Sequence, residues 1–271
     1  MLNRPITMWG GLRVWIIGAS SGIGAALAQA LLDRGAQVAL TARRQAPLRA
    51  LAADHPSARV LAFDFNDRDA FAHARDALCD HWGGIDLVVF CAGAYEPMRA
   101  WELDAEHIDR LIDINLRAPM AATAQLIPQF LRQSGGALAF VSSVAGYRGL
   151  PKAAAYGPTK AALINFAETL YLDLAPRGVS VFLINPGFVA TPMTAANDFA
   201  MPALLSPSQA AEEIIAGLGR GSFEIHFPRR FTYWLKLLRL LPYVLYFWVV
   251  SRATGRPPAS AAVVPSEVGD G

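Results

Sequence analysis

The chain has 271 residues, 24 Lys and Arg against 22 Asp and Glu for a formal net charge of +2, 54% hydrophobic residues and only 17% charged ones. So even a balance, with no long run of Lys or Arg, excludes a nucleic-acid binder held by its charge. Cys79 and Cys91 form no CxxC pair and the five histidines are scattered, which excludes a disulfide framework and a metal site, and fits a reducing, cytoplasmic compartment.

Residues 1–11 contain Arg4 and Pro5 but no apolar run, so no secretory signal is read there. Short aliphatic runs then alternate with stretches of helical period, the pattern of a parallel sheet with crossover helices. Strands are expected over 13–17, 37–41, 59–63, 87–90, 137–141, 180–184 and 224–227. Helices are expected over about 23–34, 46–54, 67–81, 104–132, 153–175 and 207–218, the last opening on Ser206 as N-cap, Pro207 in the first turn and Gln209 completing a capping box. Seven strands fit one α/β domain, a doubly wound Rossmann-type parallel sheet over residues 1–228. An apolar, amphipathic helical extension follows over 229–252, and residues 253–271, rich in Pro, Gly, Ala and Ser, read as a disordered tail.

The first strand runs into Gly18-Ala19-Ser20-Ser21-Gly22-Ile23-Gly24 and then the apolar helix from Ala25. Glycines at a strand-to-helix turn let the backbone approach a pyrophosphate, and the helix N-terminus stabilises its charge. The second strand ends Leu40-Thr41-Ala42-Arg43-Arg44. An acid at that point would bind the ribose 2′-hydroxyl of NAD, whereas adjacent guanidinium groups suit the 2′-phosphate of NADP(H). Asp64, past the third strand, is placed either to bind the adenine edge or to cap a helix beside Asp67 and Asp69.

The fifth strand enters Ser142-Ser143, and Tyr156 and Lys160 follow four residues apart. On a helix that spacing sets both on one face, with an ammonium near enough to lower the phenol's pKa. A phenol so tuned exchanges a proton with a substrate oxygen, and Ser143, at the C-terminal end of a strand, stands where open α/β sheets bind ligands.

These motifs in this order resemble those of a classical short-chain dehydrogenase/reductase over about residues 12–227: the Gly18–Gly24 loop, Cys91-Ala92-Gly93, Asn115, the Ser143/Tyr156/Lys160 set and Asn185-Pro186-Gly187. The resemblance implies that Tyr156 is the general acid/base, that Lys160 holds the nicotinamide ribose, and that Ser143 orients the carbonyl. It implies further that Asn115 supports a water-linked proton relay, with Ala92, Gly93, Pro186, Gly187, Val189 and Thr191 near the cofactor. From the residues alone, Asn115 reads only as a local hydrogen-bonder in a long helix. Cys91 departs from the family, which usually carries Asn there, and reads as a buried, inert thiol.

Phe188, Met193, Phe199, Met201, Leu204 and Leu205 suggest an apolar lid over a hydrophobic, possibly lipid-derived ketone or aldehyde. From Phe231 to Val250 the chain is strongly apolar, yet Lys236, Arg239 and Pro242 interrupt it and leave 12 residues between charges, against about 20 for a bilayer span. Thr232, Lys236, Arg239, Tyr243 and Tyr246 fall on one helical face, and Leu235, Leu238, Leu241, Leu245 and Trp248 largely on the other. This suits peripheral contact with the inner face of a membrane, the alternatives being docking on the body or an oligomer interface. The function expected is NADP(H)-dependent hydride transfer by a homo-oligomer, the alternative a non-catalytic NADP(H)-binding sensor or scaffold.

Overall fold

The computed structural model describes residues 1–195 and 201–255; Phe199 and most of the expected tail lie outside them. Seven strands form one parallel sheet: β1 (Arg13–Ile17), β2 (Gln37–Ala42), β3 (Ala58–Ala62), β4 (Leu87–Phe90), β5 (Gly136–Val141), β6 (Val179–Pro186) and β7 (Glu224–Phe227). Their order is β3-β2-β1-β4-β5-β6-β7. The chain winds outward from β1 to β3, then crosses back to lay β4 on the other side of β1. A crevice therefore opens at the C-terminal ends of β1 and β4, where doubly wound sheets bind ligands.

Both faces are covered, so the central strands are buried along their length, as in β4 and β6. Their two-residue period sends Val14, Ile16, Val38 and Leu40 to one face, against α1 (Gly22–Leu32) and α7 (Pro207–Gly219), in a layer that also holds Phe182. Trp15, Ile17, Val88, Phe90 and Phe140 face the other way, against α3 (Arg68–Trp82), α5 (Ala118–Arg132) and α6 (Tyr156–Leu174). The Ser206/Gln209 capping box opens α7 as expected. At the start of the chain, Asn3 pairs with the main chain of Val181 through both its amide nitrogen and its oxygen, 2.7 and 3.0 Å.

Three expected helices differ. The single helix over 104–132 is broken: α4 (Ala105–Ile112) passes through a π-helical turn at Asp113–Arg117 into α5. Widened turns of this kind cluster at functional sites, and this one contains Asn115. The helix expected from 153 starts at Tyr156, because Ala153 is drawn into a bridge with Met98. The C-terminal extension is two helices, α8 (Arg229–Arg239) and α9 (Tyr243–Thr254), divided at Pro242 as that proline's place in the run predicts, and α9 ends two residues beyond the expected boundary at 252. The remaining helix, α2 (Gln45–Ala52), follows the arginine pair. Among the described residues no helix is long and apolar enough to cross a membrane.

Candidate active site

One cavity of about 1290 Å³ runs along the C-terminal ends of the strands. Every residue that the sequence marks for catalysis or cofactor binding lines it, except Asn115.

At one end the glycines are needed for space. A Cβ on Gly18, at φ +96°, would lie 2.4 Å from the Ala92 nitrogen, and one on Gly24 would lie 2.2 Å from the Gly18 oxygen. Only without side chains do the turn after β1, the first turn of α1 and the loop after β4 meet. Ser21, the N-cap of α1, makes no side-chain cap bond, so the first amides of α1 are not taken by it. Such a turn could hold a pyrophosphate. Arg43 and Arg44 stand exposed on the rim, with Arg44 Nη2 donating to Ser20 Oγ at 3.3 Å. Asp67 takes the capping role in α3, accepting from the amides of Asp69 and Ala70, which leaves Asp64 on the cavity wall with an oxygen bonded to the Asn66 amide. Of the two roles open to Asp64, capping is therefore excluded.

In the middle, the adjacent serines after β5 separate. Ser142 is buried and donates to the Lys160 carbonyl at 2.9 Å, tying β5 to α6. Ser143 faces the cavity, accepts from the Ala145 amide at 3.1 Å and hydrogen-bonds Tyr156. Tyr156 opens α6, and the Tyr95 ring meets it edge-on with centroids 4.9 Å apart. Lys160, one turn on, donates to the Val141 carbonyl at 3.0 Å and lies 5.6 Å from the centre of the Tyr156 ring.

The electrostatics differ from the expectation that Lys160 lowers the Tyr156 pKa. Burial pushes Tyr156 up to about 12, and the hydrogen bond from Ser143 only partly opposes it. Burial also brings Lys160 down to about 8. In this site desolvation is the largest influence on both groups, and the phenol keeps its proton at neutral pH. The thiol of Cys91, pushed up to about 12 by burial, fits an inert side chain.

Asn115 sits behind the wall, 1% exposed. Its side chain pairs with both the amide and the carbonyl of Ala94 at 2.9 Å and reaches Thr159 Oγ1 at 3.3 Å. It thus clamps the loop after β4 to α6.

The far end of the cavity is apolar. Phe188 and Met193 line it as expected. Leu205 does not; its backbone bridges to Val189 and its side chain packs on the core, while Leu204 is 45% exposed. Sequence reasoning missed Tyr95, Arg99 and Leu150, and the wall contributed by Phe231, Trp234, Leu235 and Leu238 of α8. Tyr95 had one signal, its place two residues after Gly93. The α8 residues had none, because nothing local shows that this helix returns over the sheet.

The family model for short chain dehydrogenases matches residues 13–200. An uncharacterized oxidoreductase of Myxococcus xanthus is 37% identical over 235 residues, 85% of this chain and 93% of its own. One from Staphylococcus epidermidis is 33% identical over 208 residues, 76% of this chain and 90% of its own. Among solved structures, a short-chain dehydrogenase from Streptomyces avermitilis superposes with a TM-score of 0.77 at 25% identity, covering 91% of this chain and all of that one. A 3-ketoacyl-(acyl-carrier-protein) reductase from Brucella melitensis, complexed with NADH, gives 0.74 at 25% identity, over 80% of this chain and 97% of its own. Helices α8 and α9 lie beyond the span matched by the family model.

Proposed function

The chain belongs to the short-chain dehydrogenase family, and from that premise we propose that it is an NADP(H)-dependent reductase of hydrophobic ketones or aldehydes, acting at Ser143, Tyr156 and Lys160. One observation carries the reading: a single cavity joins an arginine-rimmed glycine cradle, the Ser143–Tyr156 pair and an apolar end.

The residues divide the work. Gly18 to Gly24 and the N-terminus of α1 hold the pyrophosphate, and Arg43 and Arg44 pair with the 2′-phosphate that only NADP(H) carries. The nicotinamide, when bound, supplies the hydride for the carbonyl carbon. Ser143, anchored by the Ala145 amide and beside Tyr156, orients the carbonyl oxygen through its hydroxyl. Tyr156 then gives its proton to that oxygen as the hydride arrives, and ketone plus hydride plus proton becomes alcohol. A phenol that keeps its proton at neutral pH is the donor that reduction requires. Lys160, with a pKa near 8, supplies positive charge beside Tyr156 below that pH. Asn115 holds the adjoining loop and serves the proton's resupply.

The apolar end suits a lipid-derived carbonyl, and peripheral contact with the inner face of a membrane through 229–252 belongs to the same proposal, as does homo-oligomeric assembly. The test is NADPH oxidation across a panel of aldehydes and ketones. Tyr156→Phe should lower turnover about a thousandfold, the scale of a lost general acid, while NADPH binding persists. Wild type and variant equally inactive on every carbonyl, with NADPH still bound, would replace this reading with that of a nucleotide sensor.

A further inference from the structure

Helices α8 and α9 invert the arrangement usual for a surface helix. Three of their polar side chains face the body, beside the apolar Phe231 and Leu235: Lys236 Nζ donates to Glu224 Oε2 at 2.6 Å, the Thr232 hydroxyl lies 2.6 Å from His226 Nδ1, and Tyr246 Oη donates to the Gly149 carbonyl at 2.6 Å. Arg148 donates to the carbonyls of Leu238, Arg239 and Leu241 at 3.0, 3.2 and 2.7 Å, and its guanidinium covers the rings of Tyr243 and Tyr246. Trp234, Leu237, Leu240, Val244, Phe247 and Trp248 face outward, each more than half exposed. Arg229, Arg230, Arg239 and Arg252 stand exposed along the same helices, and residues 229–255 contain no Asp or Glu.

The same two helices line the cavity that contains Ser143 and Tyr156. Leu235 and Leu238 from α8 and Val249 and Val250 from α9 form its wall. Trp234 belongs to both surfaces, on the cavity wall and yet 68% exposed. Trp234 thus joins the outward apolar face to the cavity wall.

We propose that this face docks in the headgroup boundary of an anionic bilayer and that the cavity opens there, so that a lipid-class carbonyl passes from the leaflet to Tyr156 without crossing water. The inference rests on the carbonyl-reductase reading above. A basic rim around exposed aromatics and leucines matches anionic headgroups over acyl chains. A second copy of the chain fits less well, because two-fold pairing of this face would bring the same arginines together. Neither helix is long and apolar enough to cross a bilayer, and in the proposed dock both lie in its plane.

The test uses the full chain with NADPH and vesicles of phosphatidylglycerol and phosphatidylcholine, some with brominated acyl chains, carrying hexadecanal in the bilayer; benzaldehyde is the water-soluble carbonyl. The protein should sediment with anionic vesicles but not with pure phosphatidylcholine. Bromolipid should quench its fluorescence, and Trp234→Phe should remove part of that quenching. Leu240→Asp with Val244→Asp, outside the cavity, should release the protein and lower kcat/KM for hexadecanal at least tenfold while leaving benzaldehyde turnover unchanged. Failure to sediment, with a dimer that buries this face, overturns the proposal, as does hexadecanal turnover indifferent to the aspartates. If neither aldehyde is reduced while Trp234 is still quenched, the reductase reading fails and the dock stands. Benzaldehyde turnover without Trp234 quenching defeats the portal and leaves the reductase reading.

Discussion

The sheet body and the α8–α9 pair are held by opposite means. In the body, apolar side chains from both faces of seven strands pack out of water, and its largest buried groups, among them Trp15, Phe140 and Phe182, are less than 2% exposed. In α8 and α9 many apolar side chains point out, and beside the inward packing of Phe231 and Leu235 the attachment uses directional bonds from Arg148, Lys236, Thr232 and Tyr246. Packing is non-directional and cooperative, whereas each pin acts through a few atoms. The body should therefore unfold as one unit, and the helix pair should loosen from it separately.

That contrast can be broken at either end. Phe182→Ala, deep in the body, should cost about 4 kcal/mol in urea unfolding, whereas Trp248→Ala on α9 should change stability by no more than about 0.5 kcal/mol. Equal losses would mean that α9 is packed like the core. Arg148→Ala removes three charge-assisted bonds and two ring contacts, an effect of about 2 kcal/mol confined to the pair. Amide exchange over 229–254 should speed up about thirtyfold while the strands keep their protection; loss of protection throughout would show one cooperative unit.

Smaller effects sharpen the picture. Replacing Arg43 and Arg44 together by Ala should cut the preference for NADPH over NADH, measured as a ratio of kcat/KM, about tenfold without altering unfolding, since both side chains are exposed. Unchanged discrimination would remove them from the 2′-phosphate site. The smallest effect concerns Glu224. Burial pushes its carboxyl up, but hydrogen bonds from Lys236, Tyr147 and Asn185 outweigh that and hold it below its ordinary value of 4.5. A carboxyl lowered by folding stabilises the fold above its ordinary pKa and loses that contribution as pH falls through the lowered one. The α8 pin should thus be intact at neutral pH and weaken only below about 4.5, by roughly 1 kcal/mol or less, as read by fluorescence of the exposed Trp234. Loosening between pH 6 and 7 would point to another group.

Much of this was legible in the sequence because the relevant signals are local. Strand limits at Arg13–Ile17, Leu87–Phe90 and Glu224–Phe227 agree residue for residue with the expected runs, since short aliphatic or alternating runs end where turn residues begin. The site residues were legible as types at fixed spacings, and the topology gathers them along one cavity. The π turn at Asp113–Arg117 was not legible, because a changed hydrogen-bond register leaves no mark in composition. Nor was the Tyr156 pKa, which depends on how completely β5, α6 and Tyr95 exclude water. Which face of α8 and α9 meets the body was not legible for a related reason. Periodicity finds Thr232, Lys236 and Tyr246 on one side, but only the fold brings His226, Glu224 and Gly149 to meet them.

The grip of Arg148 has a consequence for descent. It takes hold of main-chain oxygens at Leu238, Arg239 and Leu241, atoms that every amino acid carries. Outward positions such as Leu240 and Val244 can then drift through generations while the attachment stays the same. Relatives that keep this arginine would be free to trade one outer surface for another, and so to explore new surroundings for an old catalyst.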